Sequence, residues 1–207
     1  MTDTATRYLY LTRHAEASPD ESTLTDIGRR QAVLLGERLR RSPLQAVRHG
    51  PLPRAEETAR LICEQLGGVS PQPSEPAGDY IPYLPRKAEL PTESADATLT
   101  RLYRFPVEQR EAGPGLADEA LARFTGPVDG DEPRHELVVT HNFLAGWIVR
   151  AALDAPKWRW IGLDHANAAL TVIRYDPGRP ASVLFFNDTA HLPTELRRAG
   201  LPGELLG

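Results

Sequence analysis

The sequence predicts an α/β fold built on a mostly parallel sheet with an antiparallel edge strand, and three observations carry that expectation. Tyr8-Leu9-Tyr10-Leu11-Thr12 and Glu136-Leu137-Val138-Val139-Thr140 are apolar runs of strand length, rich in residues that favour β structure. Beyond each lies a segment whose apolar residues recur at helical spacing. Two more β-rich runs, residues 168–174 and 182–187, flank the turn Asp176-Pro177-Gly178-Arg179 and read as an antiparallel pair at a sheet edge.

Length and composition set the scale. The chain has 207 residues, 41% of them hydrophobic, which is enough for one well-cored α/β domain and short for two. A single domain over residues 1–207 is expected, with residues 76–134 as a helical and irregular insertion capping the sheet. A formal net charge of −4 offers no general attraction to nucleic acid or to anionic membrane, so neither is an expected partner. A small anionic ligand would need a local cationic pocket. Lys87 and Lys157 are the only lysines, so the abundance of arginine is compositional, and no arginine is informative by type alone. The single cysteine, Cys63, rules out an internal disulfide framework and a multi-cysteine metal site, and its position on an apolar helix face makes it a core filler. The N-terminus lacks a basic stretch followed by an apolar one, no run has membrane-spanning length, and a cytoplasmic location is the expectation.

In chain order, Tyr8 to Thr12 forms the first strand and ends at Arg13-His14, which places both at the carboxyl end, where open α/β sheets hold their ligands. Residues 17–23 are polar and form a loop. Thr25 caps a surface helix to about residue 41, with Ile27, Leu34, Leu35 and Leu39 as its apolar positions. Residues 44–47 make a short second strand. Pro53 opens the next helix as a first-turn proline, Ala55, Thr58, Ala59, Ile62 and Leu66 form its stripe, and Gly67-Gly68 stops it. Residues 70–91 are proline-rich and predict irregular structure, which in a compact domain is often functional. Residues 92–110 and 116–124 read as two helices separated by Gly113-Pro114-Gly115. The strand ending at Thr140 leads into His141 and an amphipathic helix carrying Leu144, Trp147, Ile148, Ala151 and Ala152.

Two strands therefore each end in a histidine. If they are neighbours, His14 and His141 converge with Arg13 and with Arg54, which sits at a helix start. Such a group suits a tetrahedral dianion, because arginine makes bidentate charge-assisted bonds to phosphate oxygens and a helix N-terminus adds N–H donors and a favourable dipole.

Four stretches, Leu11-Thr12-Arg13-His14-Ala15-Glu16, Leu24-Thr25-Asp26-Ile27-Gly28-Arg29-Arg30-Gln31-Ala32, Pro51-Leu52-Pro53-Arg54-Ala55-Glu56-Glu57-Thr58-Ala59 and Val138-Val139-Thr140-His141, resemble in order the signatures of the histidine phosphatase superfamily, in its phosphoglycerate-mutase-like branch. The resemblance covers most of the chain and is weakest over residues 68–134. It implies a three-layer α/β/α sandwich and metal-independent phosphoryl transfer through a phosphohistidine, with no cofactor and with a small phosphorylated substrate or inorganic phosphate as partner. It makes His14 the nucleophile, and it sets Arg13, Arg54 and His141 around the equatorial phosphoryl oxygens. It also implies a carboxylic acid from the irregular segment to protonate the leaving oxygen: Asp79 is the first choice and Glu75 the competitor.

Departures from the family pattern carry their own expectations. Residue 15 is alanine in place of glycine, which leaves room. Asn142 replaces a glycine and is expected to add a side chain to the phosphate site. His49 and Gly50 replace small hydroxyl residues, so His49 either supplies a phosphate contact or the contact is lost. Mutases of the family carry Tyr-Gly-x-Leu-x-Gly after the acid, whereas this chain has Gly78-Asp79-Tyr80-Ile81-Pro82-Tyr83-Leu84-Pro85, which disfavours a mutase. A non-catalytic phosphate-binding regulatory module would have lost a core residue, and Arg13, His14, Arg54 and His141 are all present. His135, His165 and His191 are expected at the surface or in hydrogen bonds without metal-ligand spacing. Trp158, Arg159 and Trp160 fit a loop packed on the core better than a pocket wall, and Tyr80, Tyr83, Arg86 and Lys87 are candidates for holding the substrate's organic part.

Overall fold

The computed structural model describes residues 4–197. Among them, β1 (Arg7–Arg13), β2 (Ala46–His49), β3 (Pro71–Pro73), β4 (Arg134–Thr140), β5 (Leu170–Tyr175) and β6 (Ser182–Asp188) form one sheet in the order β3-β2-β4-β1-β5-β6. The β3-β2-β4-β1 portion is parallel, and β5 and β6 add two antiparallel strands at one edge. Arg13 pairs with Thr140, so β1 and β4 finish level and the residues that follow them emerge side by side.

Strand alternation divides the core in two. Helices α1 (Asp26–Leu39) and α2 (Pro53–Leu66) cover one face, where Leu35, Leu39, Ala59 and Ile62 pack against Val47, Leu137, Val139 and Val172. On the other face α4 (Val107–Phe124) and α5 (Asn142–Ala152) set Ala117, Phe124, Leu144 and Ile148 against Leu9, Leu11, Val138 and Ile173. The result is the three-layer α/β/α sandwich, because a sheet with apolar residues on both faces must be covered on both.

The structure refines several expectations. Helix α1 is capped by Thr25, whose hydroxyl accepts from the Gly28 amide at 3.0 Å. Its buried stripe runs through Gly28, Ala32, Leu35 and Leu39, leaving Ile27 exposed. Gly28 is required for close approach, since a Cβ there would lie 2.0 Å from the Glu16 carbonyl oxygen. Residues 71–73 form a short strand inside the stretch expected to be irregular, and its prolines are tolerated because β3 is an edge.

The larger correction concerns residues 92–124. The break between helices falls at residues 103–106, after α3 (Ala95–Leu102), and α4 continues through Gly113-Pro114-Gly115. Pro114 lacks the N–H that would bond back one turn, at a cost of about 3 kcal/mol in a helix interior. Burial of Gly113, Ala117, Ala120 and Phe124 along one face offsets it. Trp160 is buried and donates its indole N–H to the Tyr83 carbonyl at 3.0 Å, so the 157–160 turn packs on the core as expected.

Two glycines of α4, on either side of Pro114, test this packing. A Cβ on Gly113 would lie 2.1 Å from the Ile81 carbonyl oxygen, whereas at Gly115 it would meet nothing. In urea denaturation Gly113→Ala is expected to lose about 1–3 kcal/mol through overpacking, and Gly115→Ala to be neutral or to gain up to about 1 kcal/mol from helix propensity.

Candidate active site

The site forms where β1 and β4 end. The His14 amide donates to the Thr140 carbonyl at 2.8 Å, continuing the ladder one residue past β1. The next amide, of Ala15, donates to the Thr58 hydroxyl at 3.0 Å, and that hydroxyl donates to the Arg54 carbonyl at 2.7 Å, which ties the loop to the first turn of α2. From the opposite side the Asn167 side chain donates to the His14 carbonyl at 2.8 Å. His14 is therefore held by three elements before its side chain makes any contact.

The His14 ring is buried, with its Nδ1 2.8 Å from the Ala15 carbonyl oxygen. A carbonyl only accepts, so Nδ1 carries the proton and the lone pair lies on Nε2. Arg54 Nε donates to that Nε2 at 3.2 Å. Burial, then the neighbouring His141 and the Arg13 and Arg54 guanidiniums, push the His14 pKa down to about 2, which keeps the ring neutral.

His141 caps the start of α5, and its ring centroid is 5.1 Å from that of His14. It is almost fully buried, yet neither ring nitrogen makes a hydrogen bond within the described structure. Buried polar atoms are nearly always paired, so a buried imidazole with no hydrogen bond at either nitrogen marks a place for a ligand. Burial, followed by Arg54 and Arg13, lowers the His141 pKa to about 3.

Asp79 completes the group. The Thr140 hydroxyl donates to the Ala77 carbonyl at 2.7 Å, pinning the 77–79 segment across the strand ends. Gly50 permits that crossing, because a Cβ there would stand 2.4 Å from the same oxygen. Arg54 Nη2 donates to Asp79 Oδ2 at 2.8 Å and forms an ion pair with Glu21 Oε2 at 3.2 Å, and Asp79 Oδ2 is 3.5 Å from His141 Nδ1. Burial raises the Asp79 pKa, against the opposing pull of Arg54 and Arg13. Arg13 donates from Nη1 to the His165 carbonyl at 3.0 Å.

Five of the residues singled out in the sequence thus meet: Arg13, His14, Arg54, Asp79 and His141. Two do not join them as expected. His49 pairs with Val139, one level below the edge at which Arg13 and Thr140 end, and its ring lines a separate depression with Glu56 and Arg60. The Asn142 side chain is engaged elsewhere, donating to Asp164 and accepting from the His165 amide, both at 2.7 Å. It thereby fixes the loop whose carbonyl holds Arg13. Glu75 is exposed on the 3-10 turn of residues 75–77. Sequence reasoning missed Glu21, Asn167 and His165, which lie in loops without periodicity. Thr58 was visible only as part of an apolar stripe. No group of three or more His, Cys, Asp or Glu among the described residues is arranged to hold a metal ion.

Neutral imidazoles, two guanidiniums and a carboxyl around one cavity can bind a tetrahedral oxyanion, present a nucleophilic nitrogen to it and deliver a proton. Comparison with known proteins agrees. The sequence profile of the histidine phosphatase superfamily (branch 1) matches residues 9–188, from β1 to the end of β6. The chain is 27% identical over 206 residues to the serine/threonine-protein phosphatase Pgam5, mitochondrial, of Caenorhabditis briggsae, an alignment covering 91% of this chain. This chain spans only 65% of that relative's length. The relative's mitochondrial designation gives the cytoplasmic expectation no support. Among the described residues no helix is long and apolar enough to cross a membrane. Bacillus stearothermophilus YhfR superposes with a TM-score of 0.62 at 26% identity, covering 89% of this chain and 98% of that one. A mycobacterial glucosyl-3-phosphoglycerate phosphatase superposes with a TM-score of 0.60 at 22% identity, covering 89% and 100%, which shows the shared fold.

The buried neutral histidines make stability depend on acid. Unfolded histidine titrates near 6.5, and His141 in the fold near 3, so between those values the unfolded chain binds the extra proton and stability falls as pH drops. At pH 5 His141 alone is expected to cost about 2 kcal/mol relative to pH 7. Urea melts of His141→Asn should show a correspondingly smaller loss between pH 7 and 5 than the parent; an equal loss would mean that His141 is solvated in the fold.

Proposed function

The chain belongs to the histidine phosphatase superfamily, and from that membership we propose that it is a phosphomonoesterase hydrolysing small phosphorylated metabolites through a phosphohistidine on His14. The observation that carries the proposal is the His14 ring: its proton is fixed on Nδ1, its Nε2 lone pair points to the Arg54 guanidinium, and it stays neutral at physiological pH. Residues 76–134 act in this proposal as a cap contributing Asp79 to one domain.

Arg13, Arg54 and His141 bind the equatorial oxygens, with Arg54 exchanging its bonds to His14 and to the carboxylates for bonds to phosphate. His14 Nε2 attacks phosphorus as the bond to the leaving oxygen breaks, and Asp79 gives its proton to that oxygen. Water then attacks the phosphorus, the N–P bond breaks, and the proton of the water returns to Asp79. Asp79 is preferred to Glu75 as the acid because it contacts Arg54 and approaches His141, while burial holds its pKa up. Members of the superfamily act through side chains of this kind without metal, and the same residues serve here.

A second reading follows from the Pgam5 relative, whose name makes it a protein phosphatase. In that case the substrate is a phosphorylated serine or threonine side chain and the chemistry at His14 is unchanged.

Purified protein is expected to release phosphate from p-nitrophenyl phosphate in excess chelator, and His14→Ala to lower kcat by at least about a thousandfold, the scale of losing a covalent nucleophile. Retained turnover in His14→Ala would move the nucleophile elsewhere. The proton donor has a separate signature. Asp79 must be protonated, so kcat/KM for an alkyl phosphate should fall as pH rises through its raised pKa. In Asp79→Asn that alkaline limb should vanish, and alkyl phosphates should slow much more than aryl ones, whose leaving groups need little protonation. Equal slowing of both would shift the role to Glu75.

A further inference from the structure

Asp79 belongs to two neighbourhoods. Inward it bonds Arg54; outward it lines a cleft of about 270 Å³ between the 75–80 segment and the start of α4. Because Asp79 stands on the leaving-group side in the proposed reaction, this cleft receives the alcohol. A cleft of this size accommodates a short alcohol.

The chemistry of the walls is one-sided. Leu52, Ala112 and Leu116 give apolar surface, while Glu75, Glu108 and Gln109 give the polar groups. No Lys, Arg or His is among the described residues lining it, although the chain has 24 lysines and arginines. Glu75 and Glu108 are exposed, and neither forms an ion pair among the described residues. Charge is thus partitioned within a few residues of Asp79: cations gather on the phosphate side, and carboxylates stand alone on the alcohol side. On the inner side His141 approaches Asp79 through Nδ1 at 3.5 Å and is almost fully buried with no hydrogen bond at Nε2, which marks the inner end of the junction as a ligand site.

We propose that this cleft selects phosphomonoesters of small alcohols bearing an ammonium group, and rejects those bearing a second anion. The inference rests on the phosphatase reading given above. An ammonium on the leaving alcohol meets Glu75 and Glu108 at the mouth, and its carbon chain lies on Leu52 and Leu116. A carboxylate in the same place meets two like charges and no cation, and electrostatic mismatch of that kind governs choice of partner. Each exposed charge pair is worth roughly a two- to fivefold change, and exchanging a cation for an anion counts every pair twice, so the preference should reach about tenfold or more.

The test compares kcat/KM of the full chain for O-phosphoethanolamine and phosphocholine against 3-phosphoglycerate, with p-nitrophenyl phosphate as a neutral reference. The amino alcohol esters are expected to exceed 3-phosphoglycerate at least tenfold at low salt, with the ratio shrinking in 0.5 M NaCl as screening grows. Glu108→Lys, and separately Glu75→Lys, should each cut the ratio several-fold. Normal turnover of p-nitrophenyl phosphate together with a ratio at or below one overturns the charge selection alone. So does a ratio that neither lysine variant changes, or a phosphoseryl peptide cleaved faster than either small ester. No turnover of p-nitrophenyl phosphate overturns the phosphatase reading and this proposal with it.

Discussion

The site depends on one geometric constraint: two parallel strands that end at the same level. Arg13 and Thr140 are paired, so His14 and His141 leave the sheet together and their rings stand 5.1 Å apart. A slip of one residue in that register would turn one ring toward the opposite face, because side chains alternate along a strand. What fixes the register is the core. Leu9, Leu11 and Val138 are buried on one face while Leu137 and Val139 are buried on the other, so neither strand can move without exposing its apolar set.

Around that pair the structure uses backbone contacts to place side chains. Thr58 links the loop after His14 to the helix that carries Arg54, through one hydroxyl that both accepts and donates. Gly50 lets the 77–79 segment cross the strand ends and so brings Asp79 to Arg54. Asn142 and His165 do the same for Arg13. Ala168, whose amide donates to the Arg13 carbonyl, adopts a φ of +53°, a left-handed conformation that costs a non-glycine residue about 1 kcal/mol or more and is seen where surrounding structure enforces it. Burial then sets the electrostatics: it keeps both histidines neutral and raises the carboxyl, while two guanidiniums keep the cavity attractive to anions. In the free site that attraction is partly satisfied by the carboxylates of Asp79 and Glu21, both on Arg54 Nη2.

Membership in the histidine phosphatase superfamily and the geometry of the site point the same way. Helix α4 packs on the core and runs across Pro114 with a continuous buried face, and Glu108 in its first turn lines the outer cleft.

The amino-acid sequence by itself determined the layers, the strands that end in histidine and four of the five residues that meet in the cavity. These features are local: apolar periodicity, a first-turn proline and short motifs persist whatever the rest of the chain does. Asp79 was legible only as one of two carboxyls in an irregular stretch, and the geometry favours it because Thr140 and Gly50, distant along the chain, position that stretch. The same sequence left His49 either at the phosphate or away from it, placed Asn142 at the phosphate, and broke a helix at Gly113-Pro114-Gly115. Tertiary structure sets these residues by contacts the sequence does not display. His49 sits one level below the strand ends, Asn142 is drawn to the loop at residues 164–165, and the helix continues across Pro114 over what it buries. Register, loop return and burial depend on partners far apart in sequence, and no local pattern encodes them.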